Sequence, residues 1–570
     1  MSHQNPADPS TPTGEPTPPA TPAAVTLTAS AHEDTFTRDH LPPPEEWPLI
    51  RPLEHADRLN CAEELLDGTI ARLGPDRRCV VGEHESLTYG QLRDRVDRVA
   101  HVLVDEHGLR PGQRVLLRGP NAPWLAACWL AVLKAGGVVV TVLPVLRAGE
   151  LATLLRSAEI THALCDARFL DGLTEAGADL GDRAPDVLVY GGSGPDDLTA
   201  RVAAHRDGGA PARFDAVRTA ADDACMIAYT SGTTGEPKGC VHFHRDVLAV
   251  ADTYSARVLR PEPDDLFVGS PPFAFTFGLG GLLVFPLRAG AATVLLERPR
   301  PETLLDAVTE RGATIVFTAP TAYRAMLPRL EGRDLSTLRR CVSAGEHLPA
   351  ATWRAWYDAT GIRMLDGIGA TEMLHIFVSA TDEHMRPGST GRPVPGFEAA
   401  ILDDEGAPVP DGQPGHLAVR GPVGCRYLAD ERQREYVRHG WNHTGDTYVR
   451  DEDGYFWYRA RSDDMIVSAG YNIAPAEVEE ALLTSPDVEE AAVVGVRDPD
   501  RGLAVRAYVV PRAGLTPDTA LADRLREHVR ARIAPYKTPR AVVFLTALPR
   551  TATGKLQRFR LREGADPDAR

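Results

Sequence analysis

The sequence predicts an α/β protein of two unequal domains, and three observations carry that reading. From about Leu49 onward, short apolar runs such as Arg114–Arg118, Ala291–Leu296 and Ala313–Phe317 alternate with amphipathic helical stretches, the pattern of strands buried in helix-covered sheets. Near Tyr455 the texture shortens: G-Y-F-W-Y-R-A-R-S-D-D-M-I leads into a helical stretch at Pro475–Leu483, with proline in its first turn, and strand-like runs at Ala491–Val496 and Val505–Val510. The length, 570 residues, exceeds what one compact core usually takes. A large domain is therefore expected over residues 49–462 and a small α+β domain of about a hundred residues over 463–570, joined at the charged run Arg461–Asp464.

Ahead of both, residues 1–48 are expected to form a disordered tail, because the chain opens dense in Pro and Thr and lacks the apolar run of a signal peptide. The run Trp124–Leu146 is the one membrane candidate, but Lys134, Gly136, Gly137 and Pro144 cut it, so it predicts a buried helix followed by a buried strand. Hydrophobic content of 43% and charged content of 25% match an ordinary soluble globular protein. A net charge of -17 and the lack of a long basic run exclude a nucleic-acid partner. Eight scattered cysteines, with no C-x-x-C pair and no zinc-like His/Cys spacing, predict reduced thiols packed as small hydrophobes in a cytoplasmic protein.

The stretch Y-T-S-G-T-T-G-E-P-K-G-C, Tyr229 to Cys240, follows the apolar run Met226–Ala228 and sets four Ser/Thr hydroxyls, three glycines and one lysine within ten residues. It is not a Walker loop, which needs G-x-x-x-x-G-K-[ST]; here Pro237 stands where the second glycine belongs and Gly239 follows Lys238. Its composition still suits an anion, since glycines let backbone N–H groups approach and Lys238 supplies charge. A solvated Ser/Thr/Gly turn is the alternative on composition alone.

T-S-G-T-T-G-E-P-K-G resembles the phosphate loop of the adenylate-forming superfamily of acyl-CoA synthetases, nonribosomal peptide adenylation domains and beetle luciferases. Five later stretches resemble that superfamily's motifs in its order: S-A-G-E-H-L-P from Ser343, D-G-I-G-A-T-E from Asp366, T-G-D from Thr444, R-S-D-D from Arg461 and P-R-T-A-T-G-K from Pro549. The resemblance runs from about Leu49 to about Leu561. It implies the adenylate-forming fold, with a large N-terminal domain of packed α/β layers and a small, mobile C-terminal domain. It also implies the reaction: a carboxylate attacks the α-phosphate of ATP, giving an acyl-adenylate and pyrophosphate, and a thiol then displaces AMP. Catalysis of that kind is mostly positioning and charge neutralisation.

By the same resemblance, Thr230, Ser231, Gly232, Thr233, Thr234, Gly235 and Lys238 would hold the β- and γ-phosphates. Gly345, Glu346, Asp366 and Gly367 would surround the adenine, Asp446 would accept from the ribose hydroxyls, and Arg461 would belong to the nucleotide site. Thr371 would donate to the α-phosphate and Glu372 would ligate Mg²⁺ through oxygen. Lys555 would bridge the attacking carboxylate and the α-phosphate when the small domain folds over the large one. Rotation about a hinge at Asp463 would then withdraw it and open a pantetheine tunnel beside Gly470.

Ile368 stands where an aromatic is usual in the superfamily, which implies weaker or differently built adenine stacking. D-G-I-G-A-T-E-M-L-H-I-F and D-D-M-I-V-S-A-G-Y-N-I resemble the benzoate-CoA ligase branch. That likeness places Phe275, Thr276, Phe277, Gly278, Ile368 and His375 around an aryl carboxylate, although Phe273, Phe275, Phe277 and His375 also read as core positions. F-A-F-T-F-G-L-G-G most resembles 2-aminobenzoate-CoA ligases, so 2-aminobenzoate is expected ahead of salicylate or benzoate. The implied co-substrates are ATP and CoA with Mg²⁺, in a monomer or homodimer that needs neither membrane nor nucleic acid. A stand-alone aryl-AMP ligase loading a carrier protein is the alternative, separated by activity with free CoA. An oxygenase on the same fold would consume oxygen, and a non-catalytic nucleotide binder would lack pyrophosphate exchange.

Overall fold

The computed structural model describes residues 27–178, 180–207, 213–230, 237–461, 464–468, 471–498, 502–550 and 556–562. Among them, a six-stranded sheet runs in the order Asp186–Tyr190, His162–Asp166, Arg114–Arg118, Val138–Val142, Ala224–Thr230, Lys238–Phe243. Its pairings are parallel except for the last, an antiparallel hairpin in which Thr230 lies opposite Lys238. A nine-stranded sheet has a parallel middle that includes Leu266–Gly269, Ile315–Thr318, Arg340–Ser343 and Met364–Gly369. The strand Ile376–Ser379 then turns back antiparallel on Met364–Gly369.

One apolar cluster joins these two sheets. It takes Val115, Leu117 and Val139 from the first, Val80, Phe267 and Phe317 from the second, and the helices Cys61–Leu65, Pro123–Lys134 and His244–Val250. The run expected as buried helix then buried strand forms the helix Pro123–Lys134, buried at every residue except Trp124, and the strand Val138–Val142. Lys134, which interrupts the apolar pattern, is buried with its Nζ 2.8 Å from Asp67 and 2.5 Å from Asp97, so its charge is compensated inside the protein. Among the described residues no helix is long and apolar enough to cross a membrane.

The expected limit of the tail is corrected by the structure. Residues 27–48 pack on the large domain: Leu27, Phe36, Leu41 and Trp47 join an apolar cluster against the six-stranded sheet, and Trp47 is buried. The Thr28 and Ala31 N–H groups donate to Asp222 and Asp223 at 3.1 and 3.0 Å, and the Glu33 N–H donates to the Pro111 carbonyl at 3.0 Å. Pro-rich composition hid four apolar anchors that bury enough surface to order the segment. Residues 1–26 lie outside the described residues.

A third, antiparallel sheet contains Trp441–Arg450 paired with Phe456–Arg461. Arg461 ends that sheet and Ile466 opens a fourth, in which Val488–Asp498 pairs with Gly502–Pro511, and Ala541–Phe544 adds in parallel. The helix Pro475–Leu483 matches its expected span. A separate core of Ile466, Ile473, Val478, Leu482, Val493, Val505, Leu521 and Leu525 holds this unit together. Sheet and core therefore both change between Arg461 and Ile466.

Candidate active site

Of the expected site residues, Gly345, Glu346, Asp366, Thr371 and Glu372 lie at or just beyond the carboxyl ends of parallel strands, where open α/β sheets leave their ligand crevice. Ser343 ends one strand and pairs in register with Asp366 on the next; Gly345 and Glu346 follow the first, and Ala370 to Glu372 follow the second. Gly345 has φ +90°, left-handed backbone that favours glycine. The hairpin brings Thr230 and Lys238 together at its tip. Ser231, Gly232, Thr233, Thr234 and Gly235 lie outside the described residues, as do Asp463, Gly470 and Lys555.

Beyond Gly369 the chain makes a short 3-10 turn, Thr371–Met373, and then Leu374 at φ +64°. A leucine holds that backbone only where its surroundings over-determine it. Here His242 Nε2 lies 2.8 Å from the Thr371 carbonyl, and the Tyr427 hydroxyl donates to Glu372 Oε1 at 2.5 Å. Burial opposes a charge on His242, while neighbouring Cys240 and Asp246 raise its pKa to about 9. Glu372 is buried, and burial, with Cys240 next, pushes its carboxyl up, partly offset by the Tyr427 hydroxyl. No ion pair to Glu372 forms among the described residues. A buried carboxylate oxygen without a cation fits Mg²⁺, which takes one or two carboxylates and completes its shell with phosphate and water.

An aromatic cluster packs beside this turn. His375 is 2% exposed, and its ring lies 4.5 Å from Phe285, 5.3 Å from Tyr254, 5.8 Å from Phe277 and 6.4 Å from Phe317, centroid to centroid. Burial lowers its pKa to about 3, so the imidazole is neutral. Neither ring nitrogen has a hydrogen-bond partner among the described residues, and neither has the Tyr254 hydroxyl nor Asp366 Oδ1. Most buried polar atoms in folded proteins are hydrogen-bonded. Phe273, Phe275 and Phe277 do not form a strand: Phe273 is core, Phe275 is half-buried, and Thr276 begins the helix Thr276–Leu279. Two glycines permit this packing, since a Cβ on Gly278 would meet the Pro272 carbonyl oxygen at 2.3 Å and one on Gly280 would meet His375 Cδ2 at 2.3 Å. Ile368 is half-buried on its strand, and Gly367 faces Ile376.

On the third sheet, Asp446 is buried opposite Arg461, whose Nη1 lies 3.0 Å from the Thr444 carbonyl and 3.4 Å from Asp446 Oδ1. Glu346 accepts a hydrogen bond from Arg550 at 3.0 Å, and the same guanidinium reaches Glu490 of the small unit at 2.8 Å.

This arrangement matches known sequences along almost its full length. The profile of the AMP-binding enzyme family covers residues 69–427, and that of the AMP-binding enzyme C-terminal domain covers residues 477–555. The chain belongs to the AMP-binding enzyme family. It is 34% identical over 515 residues to the benzoate–CoA ligase of Thauera aromatica, covering 89% of this chain and 96% of that protein. The crystal structure of the anthranilate CoA ligase AuaEII in complex with anthranoyl-AMP superposes with a TM-score of 0.84 at 33% identity, over 90% of this chain and 98% of that one. A benzoate CoA ligase from Burkholderia xenovorans LB400 gives 0.80 at 34% identity, over 88% and 99%. This AMP-binding enzyme is a ligase with the large and small domains of its fold.

Sequence reasoning missed Tyr427, His242, the role of Arg550 and the three aromatic neighbours of His375, Tyr254, Phe285 and Phe317. Two of them left a signal: His242 alternates with Cys240 on the strand Lys238–Phe243, and Arg550 lies inside the stretch P-R-T-A-T-G-K. The described cysteines are all free and buried, as expected. The fold does gather Cys61, Cys225 and His244, with one ligand atom from each within 4.8 Å. His244 Nδ1, however, already accepts the Cys61 backbone N–H at 3.1 Å, which spends the lone pair a metal would need.

Proposed function

We propose that this AMP-binding enzyme is an aryl-CoA ligase that activates a benzoate-type acid with ATP, 2-aminobenzoate before salicylate or benzoate, and transfers the acyl group to CoA. The observation that carries the aryl reading is the aromatic cluster around His375, whose neutral imidazole makes no side-chain hydrogen bond among the described residues. A flat ring packs against Phe277, Phe285 and Phe317, and a polar substituent or the carboxylate satisfies the imidazole. Similarity to ligases named for benzoate and anthranilate supports the same class.

In this reading the carboxylate oxygen attacks the α-phosphorus, the bond to pyrophosphate breaks, and the thiol sulfur of CoA then attacks the acyl carbon and releases AMP. Thr230, Lys238 and residues 231–235 hold the β- and γ-phosphates. Thr371 donates to the α-phosphate, Gly345, Glu346, Asp366 and Gly367 surround the adenine, and Asp446, oriented by Arg461, accepts from the ribose. Glu372 would hold Mg²⁺, which would supply charge neutralisation at the phosphates. Lys555 bridges carboxylate and α-phosphate, and the small domain, divided from the large one at 462/463, turns about Asp463 to admit pantetheine beside Gly470.

The test incubates the protein with ATP, Mg²⁺, CoA and, separately, 2-aminobenzoate, salicylate, benzoate and a medium-chain fatty acid, with acyl-CoA detected by mass spectrometry and AMP release followed. Aryl-CoA with 2-aminobenzoate ranked first is the expected result. A thioester only with the fatty acid overturns the aryl reading, and aryl-AMP without thioester replaces CoA by a carrier protein. Lys555→Ala is expected to abolish adenylation while sparing thioester formation from supplied aryl-AMP; equal loss of both half-reactions contradicts the rotation.

A further inference from the structure

Tyr427 lies outside every motif that the resemblance supplies, yet it touches two of the residues those motifs contain. Its side chain is fully buried, its hydroxyl donates to Glu372 Oε1 at 2.5 Å, and its ring faces Lys238 Nζ at 4.9 Å from the centroid. The backbone that carries it is pinned to the descending arm of the hairpin. The Val241 N–H donates to the Arg426 carbonyl at 2.8 Å, the Leu428 N–H donates to the Gly239 carbonyl at 2.8 Å, and Cys240 and Tyr427 form an antiparallel bridge. The Tyr427 N–H is further held by Gln433 Oε1 at 3.0 Å.

Position and chemistry therefore combine. A phenol donates one hydrogen bond, and placed on one carboxylate oxygen it orients the group and leaves the other oxygen to face a cation. The ring gives the lysine ammonium an electron-rich face at short range. Because the same strand carries Lys238 at its start and the partners of 426–428 just after it, a shift of the hairpin moves Lys238 and the Glu372 carboxylate together.

Resting on the reading of Glu372 as the Mg²⁺ ligand, we propose that Tyr427 is a positioning residue that aims the Glu372 carboxylate at the metal and couples it to Lys238 on the phosphate loop. Nothing in this role requires a particular acid, so it can be tested without one.

The probe is Mn²⁺ with α,β-methylene-ATP, followed by electron paramagnetic resonance on the full chain. Tyr427→Phe keeps the ring, its packing and its face toward Lys238 and removes only the donor. It is expected to weaken Mn²⁺ binding in the ternary complex by about tenfold or more, and to raise the Mg²⁺ concentration needed for pyrophosphate exchange by a similar factor. Tyr436→Phe is the structural control: Tyr436 packs edge-on against Tyr427 at 5.8 Å, and its buried hydroxyl has no partner among the described residues. It is expected to leave Mn²⁺ binding unchanged. Equal Mn²⁺ affinity in wild type and Tyr427→Phe overturns the proposal, as does an equal loss in both variants. Wild-type protein that binds no Mn²⁺ with the analogue overturns it together with the metal role of Glu372, whereas failure of the aryl reading appears only in the thioester assay.

Discussion

His375 shows how a single side chain changes meaning between sequence and structure. In the sequence it is a histidine three residues after a glutamate; in the fold it is a neutral imidazole enclosed by four aromatic rings, with no side-chain hydrogen bond to either nitrogen among the described residues. His375→Phe removes both hydrogen-bonding atoms and keeps a flat ring. It is expected to lower kcat/KM for the aryl acid about ten- to a hundredfold, the worth of about 1–3 kcal/mol for one buried polar contact, while KM for ATP stays as in wild type. Steady-state kinetics varying each substrate in turn checks this, and a loss shared equally by ATP would remove the imidazole from the acid pocket. Thr276, buried at the start of its helix, is proposed to lie near the ortho substituent. Thr276→Ala is expected to reduce the ratio of 2-aminobenzoate to benzoate turnover; an unchanged ratio in paired assays assigns ortho selectivity elsewhere.

The hairpin Ala224–Phe243 and the helix His244–Val250 behave as one element because Asp246 ties them together. Its Oδ2 accepts from the Phe243 N–H at 3.0 Å and from Arg426 Nη1 at 2.8 Å, and lies 3.8 Å from His242 Nδ1. Burial opposes ionisation of Asp246, but Arg426 and His242 outweigh it and hold the carboxyl well below the usual carboxylate range. The sign follows: a depressed folded pKa contributes stability that is present above the unfolded carboxylate pKa and is lost as pH falls toward the folded value. Asp246→Asn strands a buried guanidinium and is expected to cost about 3–5 kcal/mol at neutral pH. It should also flatten the dependence of stability on pH below about 4. Denaturant titrations at several pH values read both effects. The elements themselves were largely legible: the helix Pro475–Leu483 and the strand Arg114–Arg118 match their apolar periodicity residue for residue. The segment 27–48 was not, because proline content masked Leu27, Phe36, Leu41 and Trp47 as anchors.

For the whole molecule the question is how the two units meet. Arg550, in the motif that ends at Lys555, bridges Glu346 of the large unit and Glu490 of the small one. Arg550→Gln is expected to slow pyrophosphate exchange about tenfold or more, since charge-assisted hydrogen bonds contribute about 1.5–3 kcal/mol. Thioester formation from supplied aryl-AMP should be less affected. Equal slowing of both half-reactions would show that the bridge does not favour the adenylating arrangement. A second global property comes from histidines held as neutral rings: desolvation lowers the pKa of half-buried His32 and His347 and of buried His443 to about 4, and that of buried His375 to about 3. Depressed folded values mean that the unfolded chain binds more protons, so stability present above the unfolded pKa is lost as pH falls from about 6.5 toward 4, by up to about 1.4 kcal/mol per histidine per pH unit. The denaturant midpoint is expected to drop between pH 7 and pH 5, and by less in His375→Phe.

By itself the sequence determined the α/β layering, the change of core near Arg461 and the ordered motifs, because each is written in local spacing: period-two and helical apolar patterns, turn glycines, and residues that share one loop. Tertiary structure alone decided which distant residues complete those motifs. Tyr427 reaches Glu372 across 55 positions, Arg550 reaches Glu346 across 204, and Tyr254, Phe285 and Phe317 close around His375. Periodicity reports which side of an element is buried, but the partner it meets there depends on how whole sheets and helices stack, and a hydrogen bond a few ångströms long forms only after that stacking is set.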